Sequence, residues 1–384
     1  MTGTTPTVRV LHCVDALWAG GGARFMQTLI RYQQRRKDCQ PALCVFSPRG
    51  LEPSNLVNID DSRSLEFSGS LKDFPGLFRF ALNFRSVLRD FQPDIIHSHM
   101  WPACRLSALA GAGMGLRHVW HIHDTWPWLW SSRPRARFYR SWTGLAHRLA
   151  RPRMIAVSGR VAQFTAAHLR WKPDVLTVIP NGVDLSAVQP ARSSKHGTGE
   201  RLVVGMTSLF LPGKGHEVLI QAVAEIVGRG FDVEVRFAGY GSTEARCRAL
   251  VAELGLENRF DFRGFVNDIP AFLAELDVFV FPSTAREGMP MTILEAMAAG
   301  IPVVSAPFDG VAELIGSGQS GVIVPEVTPC ALAAVLEDLA QDPQMRLALG
   351  SAARERAWMR FGFNRVDEEI AGVYRAALRG RAIL

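Results

Sequence analysis

Apolar residues in the first half of the chain fall into short β-rich runs separated by stretches with helical spacing. VRVLHCVD (8–15) reads as a buried strand, and PALCVFS (41–47), DIIHSH (94–99), RHVWHIHD (117–124), MIAVSG (154–159) and VLTVIPNGVD (175–184) read as further strands. Between them, 23–35 places Phe25, Leu29, Ile30 and Tyr32 on one helical face, and 74–91 has the same periodicity with Pro93 closing it. A second series of the same kind predicts strands at 202–207, 233–239, 259–264, 277–283, 302–306 and 321–325, followed by a helical tail. Strands alternating with helices argue for parallel sheets made of βαβ units. Runs such as DVFVF lack polar alternation because both faces of a parallel sheet are covered.

The polar segment QPARSSKHGTGE (189–200) breaks the two series, which sets an N-terminal domain at 1–188, a linker at 189–200 and a C-terminal domain at 201–360, with a last helix at 361–384. A chain of 384 residues suits two cores of this size. Ligands of such sheets sit at the carboxyl ends of strands, and the cleft between the domains is the expected site.

Composition narrows the class. Apolar residues are 48% and charged residues 21%, as in a globular protein. The start of the chain lacks the pattern of a secretory signal, and no apolar run reaches the length of a membrane span. Six scattered cysteines form no CxxC pair, which fits a reducing, cytoplasmic setting. The net charge of +7 is concentrated: ten Lys/Arg and no acid lie between Thr125 and Lys172. Within it, 125–142 carries four Trp, one Phe, one Tyr and four Arg, and Arg148, Arg151 and Arg153 follow. Trp and Arg suit a lipid–water boundary, so 125–153 is read either as a contact for an anionic membrane, at its inner face, or as a solvated basic face with core tryptophans. Nucleic acid is disfavoured, because the charge occupies one segment and no nucleic-acid module is visible.

The densest chemistry is in STAREGMPMTILEAMAAGIPVVSA (283–306). Gly288 and Pro290 keep Glu287 ahead of a helix, with Pro290 expected at its first position, and Glu295 falls about 7–8 Å along its axis. The helix start offers free amides near Met291 and Thr292 and the positive end of the dipole, which makes an anion site. Carboxylates before and behind it suit a ligand with a sugar, a diphosphate and a ribose in line; two surface acids are the bland alternative.

EGMPMTILEAMAAGIPVV resembles the E-x7-E segment of family 4 glycosyltransferases, retaining enzymes of the GT-B fold. The resemblance implies two Rossmann-like domains facing across a cleft, with the C-terminal helix crossing back to the N-domain. It implies that Glu287 holds donor-sugar hydroxyls, Glu295 the ribose, and the amides of Gly288, Met289, Met291 and Thr292 the diphosphate. GMTSLFLPGKGHEVLI (205–220) resembles the loop whose lysine, here Lys214, contacts the diphosphate; the arginine usual five residues earlier is replaced by Leu209. FRGFVNDIP (262–270), with Gly264 and Phe265, resembles the segment that cradles the base, and AGGGAR (19–24), with Gly21 and Gly22, a strand-to-helix loop at the cleft. His123 matches a histidine near donor sugar and acceptor.

His97, His99, His121 and His123 form two HxH pairs whose members share a strand face, so metal ligation is geometrically open. The resemblance implies no bound metal and no other cofactor, and His97, His99 and His121 are read as satisfied structural histidines. The implied function is transfer of a hexose from a nucleotide-diphosphate sugar to a glycan or lipid-linked acceptor in cell-surface polysaccharide synthesis. A non-catalytic partner of the same fold, or an epimerase or phosphorylase, is the alternative.

Overall fold

A computed structural model describes residues 7–17, 20–47, 61–67, 73–125, 134–171, 175–188, 201–308, 310–316 and 318–379. The expected linker at 189–200, and the Trp-rich stretch 126–133 within the basic segment, lie outside the described residues. The chain divides into two compact units, one of residues 1–181 with 363–384 and one of residues 182–362.

The first unit is built on β1 (Val8–Val14), β2 (Cys39–Val45), β3 (Ser62–Ser64), β4 (Ile95–His99), β5 (Arg117–Ile122), β6 (Arg153–Ala156) and β7 (Leu176–Val178). They form one parallel sheet in the order β3-β2-β1-β4-β5-β6-β7. The helices are α1 (Gly21–Gln34), α2 (Phe74–Phe91), α3 (Met100–Ala110), α4 (Pro134–Ala150) and α5 (Gly159–Leu169). α2 spans the stretch expected from its periodicity. Asp73 caps it by accepting from the Gly76 amide, and left-handed Gln92 ends it before Pro93. One core layer joins Leu11, Cys13, Phe46, Phe80, Phe84 and Ile96. β3 and α3 were not visible in the sequence pattern: β3 is three exposed polar residues, and α3 follows β4 with no intervening loop.

The last helix, α13 (Phe363–Arg379), belongs to this unit. It buries Phe363, Val366, Ile370 and Tyr374 at helical spacing, and Phe363 packs on Phe25 and Tyr32 of α1. Arg36 pairs with Asp367 at 3.0 Å alongside.

The second unit repeats the plan with β8 (Leu202–Thr207), β9 (Val233–Ala238), β10 (Phe260–Phe262), β11 (Val278–Phe281), β12 (Val303–Ser305) and β13 (Val322–Ile323). Its parallel sheet runs β10-β9-β8-β11-β12-β13. The helices are α6 (His216–Gly228), α7 (Glu244–Glu253), α8 (Ile269–Ala274), α9 (Met291–Ala298), α10 (Val311–Ile315), α11 (Pro329–Gln341) and α12 (Pro343–Arg360). Val204, Met206, Ile220, Val235, Phe237 and Val280 are fully buried in its core. In both sheets the strand order reverses once, between β1 and β4 and between β8 and β11. Loops leaving these strands part in opposite directions there and open a crevice at the carboxyl edge.

Candidate active site

Lys214 lies on the loop after β8 and Glu287 on the loop after β11, so the two flank the switch point of the second sheet. The loops are tied by backbone: the Gly213 carbonyl accepts from the amides of Thr284 (2.8 Å) and Ala285 (3.2 Å). Gly215 has φ +86°, and a Cβ there would stand 2.3 Å from the Pro282 carbonyl oxygen, so only glycine allows this approach. Lys214 Nζ consequently reaches Glu287 Oε1 at 2.6 Å, with side chains 23% and 16% exposed. Ser283 Oγ donates to the same oxygen at 2.9 Å. Ser283 was missed in the sequence, where nothing sets it apart from an ordinary strand-end serine.

α9 starts at Met291, and Pro290, with φ −64° and ψ 121°, is its N-cap. This corrects the expected placement of Pro290 as the first helical residue: its φ suits a helix but its ψ is extended. The first amides, those of Met291, Thr292 and Ile293, have no acceptor within the helix. No side chain caps them and no acid stands in the first turn. Met289 and Met291 are themselves buried, so their backbones, not their side chains, are what the site can offer. Thr292 and Glu295 are half-buried, Gly288 is buried, and Glu295 is the fifth residue of α9.

The loops after β8, β9 and β10 are pressed together at the same edge. Gly239 (φ +151°) leaves 1.9 Å between a virtual Cβ and the Ser208 carbonyl oxygen, and its amide donates to the Gly264 carbonyl at 2.7 Å. Gly264 is left-handed at φ +63°. Phe265 beside it is half exposed, its ring 6.1 Å from that of Tyr240. Leu209 is half-buried ahead of Phe210, which stacks on His216 at 3.9 Å. Burial, then the charge of Lys214, lowers His216 to about 4.

In the first unit, Gly21 and Gly22 form the first turn of α1, not a loop ahead of it. A Cβ on Gly22 would meet the Met100 methyl at 2.2 Å and lie 3.8 Å from the His123 ring. His123 belongs to a buried cluster that includes His12, which sequence reasoning missed. Register explains the cluster: His12 of β1 pairs with His97 of β4, and His99 with His121 of β5, so five imidazoles share one sheet face. Strand order, which the sequence does not display, is what brings His12 in. His97 and His121 are parallel within 3° at 5.4 Å, and His121 and His123 stack at 4.3 Å. Burial pushes His12 down to about 4 and His123 to about 3, and lowers His97, His99 and His121 as well.

Nitrogens of His12, His97 and His99, and of His99, His121 and His123, lie close enough together to hold a metal. A metal must lie in the plane of every imidazole that binds it, and stacked rings do not offer that. Among the described residues both groups consist of histidines alone, so no carboxylate within them offsets a dication. The expectation that His97, His99 and His121 are satisfied is corrected: His99 is bonded at both nitrogens and His97 at one, but both nitrogens of His121 are buried without a partner.

A family model described as Glycosyltransferase Family 4 matches residues 19–187, and one described as Glycosyl transferases group 1 matches residues 189–356. The chain is 29% identical over 348 residues to the MMP alpha-(1->4)-mannosyltransferase of Mycolicibacterium hassiacum, covering 86% of this chain and 82% of that protein. It is 32% identical over 193 residues to the GDP-mannose-dependent alpha-(1-6)-phosphatidylinositol monomannoside mannosyltransferase of Mycolicibacterium smegmatis, covering 47% of this chain and 50% of that one. The chain spans about half the length of several other curated relatives it matches. HepE of Anabaena in complex with UDP superposes with a TM-score of 0.79 at 23% identity, over 96% of this chain and all of that one. That likeness carries the fold: two Rossmann-like units of the GT-B type. The two family models leave only Val188 unmatched between 19 and 356, and the chain belongs to glycosyltransferase family 4.

Proposed function

We propose that this protein is a retaining glycosyltransferase that moves a hexose from a nucleotide-diphosphate sugar to a glycan or lipid-linked acceptor in cell-surface polysaccharide synthesis. The observation that carries the reading is the Lys214–Glu287 pair at the switch point of the second sheet, on the loop that leads into the uncapped start of α9. The names of the relatives support a nucleotide-sugar donor and a glycosylated lipid as one class of acceptor.

The reaction breaks the bond between the anomeric carbon and a phosphate oxygen, and negative charge grows on that oxygen. In this reading Lys214 and the amides of Met291, Thr292 and Ile293 take it up, each such donor being worth about 3–4 kcal/mol at the transition state. Glu287, freed from Lys214 when phosphate takes the ammonium, then accepts sugar hydroxyls and positions the donor. Glu295 takes the ribose, and Gly264 and Phe265 flank the base. His123, with Gly21 and Gly22, serves the donor and acceptor from the first unit. Neither a metal nor another cofactor enters this scheme.

The chain works at a membrane surface from the cytoplasmic side. No helix among the described residues is long and apolar enough to cross a membrane. α4, in the basic segment, exposes Phe138, Leu145 and Leu149 on one face together with Arg137 and Arg148. α2 exposes Phe74, Phe78 and Leu82 at a spacing of four, and both helices pack against α3. Exposed aromatics and leucines interleaved with arginine suit an anionic bilayer surface.

Leu209 in place of the usual arginine favours a second reading, a non-catalytic partner of the same fold. One experiment separates the two: a thermal-shift screen with UDP-, GDP- and ADP-sugars, followed by nucleotide release with and without acceptor. Acceptor-dependent release supports transfer, release without acceptor supports an epimerase or phosphorylase, and no shift with any donor supports the partner reading.

A further inference from the structure

The buried histidines form a hydrogen-bonded chain whose direction follows from the orientation of the Gln33 amide. His12 Nε2 lies 2.8 Å from Gln33 Oε1. A carbonyl oxygen only accepts, so His12 carries its proton on Nε2 and leaves Nδ1 bare. His12 Nδ1 is 3.1 Å from His99 Nε2, so His99 must donate from Nε2 and leave its own Nδ1 bare. His99 Nδ1 is 3.3 Å from His123 Nε2, which must donate in turn. His123 Nδ1 is then a lone pair, buried and without a protein partner, in a ring that lies beside Gly22.

The other end of the Gln33 amide meets the Tyr374 hydroxyl, a group that can either donate or accept. Gln33 Nε2 donates to the Tyr374 hydroxyl at 3.2 Å, and that hydroxyl lies 2.6 Å from His97 Nδ1, where its proton is free to go in this orientation of the amide. Reversing the amide would reverse every bond in the chain and leave His123 with N–H at Nδ1. The network therefore has two consistent states, and one amide selects between them. Each member is neutral, because burial disfavours the charged ring throughout. The chain ends on an amide and a phenol, neither of which takes up a proton readily, so it holds a tautomer and does not conduct protons.

We propose that Gln33 and Tyr374 are positioning residues that hold His123, through His12 and His99, in the tautomer whose Nδ1 is an acceptor and not a donor. Tyr374 lies on α13 and His123 at the end of β5, so the last helix of the chain sets the chemistry of a residue it does not itself bond. The catalytic consequence rests on the role given to His123 above; the tautomers do not.

The test is the two-bond ¹H–¹⁵N spectrum of histidine-labelled full-length protein above pH 7, with wild type and Tyr374→Phe compared. In wild type, His12, His97, His99 and His123 are expected as Nε2–H tautomers, and an Nδ1–H form of His123 overturns the proposal. In Tyr374→Phe the amide is released, and Nδ1–H forms of His12, His99 and His123 are expected to appear together and in equal proportion. A switch at one of them alone, or none, overturns it. Turnover of Tyr374→Phe is expected to fall by the fraction of His123 in the wrong tautomer with donor KM unchanged. Unchanged kcat beside switched tautomers overturns the positioning role while leaving the donor site untouched, and loss of donor binding in wild type points instead to failure of the functional reading.

Discussion

Lys214 Nζ sits 2.6 Å from Glu287 Oε1 across the two loops that part at the β8/β11 switch point. A lysine and a glutamate 73 residues apart are held together by the backbone bonds of Gly213 and by the missing side chain of Gly215. The pair keeps both charges compensated while no anion is bound. In the proposed function it gives a diphosphate a cation to claim and leaves a carboxylate for the sugar.

Removing either partner separates binding from folding. Glu287→Ala and Lys214→Ala are each expected to lower kcat about 10²–10³-fold. Their far-UV circular dichroism should stay close to wild type, while the melting temperature falls modestly because the half-buried partner loses its counter-charge. Wild-type turnover in either variant contradicts the assignment.

Gly215→Ala tests the close approach of the loops. The new Cβ meets the Pro282 carbonyl oxygen, and φ +86° adds about 1–2 kcal/mol of left-handed strain. With the steric overlap, a loss of about 2 kcal/mol or more is expected, or roughly 4–8 °C in a unit of this size. Activity should fall with it, read as a lower melting temperature and a raised donor KM.

Membrane attachment is tested by flotation with anionic vesicles at low salt. Wild type is expected to float, and Phe138→Ser/Leu149→Ser to remain in the soluble fraction. Salt should weaken binding, since each arginine near an anionic surface is worth about 1 kcal/mol. Absence of wild-type binding removes the surface from the scheme.

The histidine cluster makes the first unit sensitive to acid. Folded values near 4 for His12 and 3 for His123 lie below the 6.5 of an exposed histidine, and His97, His99 and His121 are lowered in the same direction. The unfolded chain therefore takes up protons first. The stability these groups contribute is complete above about pH 6.5 and is lost as pH falls below it, by about 1.4 kcal/mol per unit for each ring. Five rings would remove about 7 kcal/mol per unit, comparable to the whole stability of a domain. Unfolding of the first unit is expected near pH 5, followed by tryptophan fluorescence, and His12→Asn should move the midpoint lower.

The sequence carried the architecture because its signals were local. The apolar run 202–207 is β8 and the periodicity of 74–91 is α2, residue for residue. β3 escaped because three exposed polar residues have no pattern to read, and α3 because no loop separates it from β4. In the site, Glu287 and Lys214 were legible through the motifs around them. Their mutual bond was not, because it depends on β8 lying beside β11. The same limit hid His12, whose place among the other histidines comes from the pairing of β1 with β4. Pro290 misled in a different way: its ring fixes φ, and the position of the helix start is decided by ψ.

The most direct measurement is the crystal structure of the protein with whichever nucleotide-sugar the thermal-shift screen selects. The diphosphate is expected on the amides of Met291, Thr292 and Ile293, with Lys214 Nζ moved from Glu287 to a phosphate oxygen and the Glu287 carboxylate turned to the sugar. A bound donor that leaves the Lys214–Glu287 bond intact, or that sits away from the start of α9, contradicts the claim on which the proposed function stands.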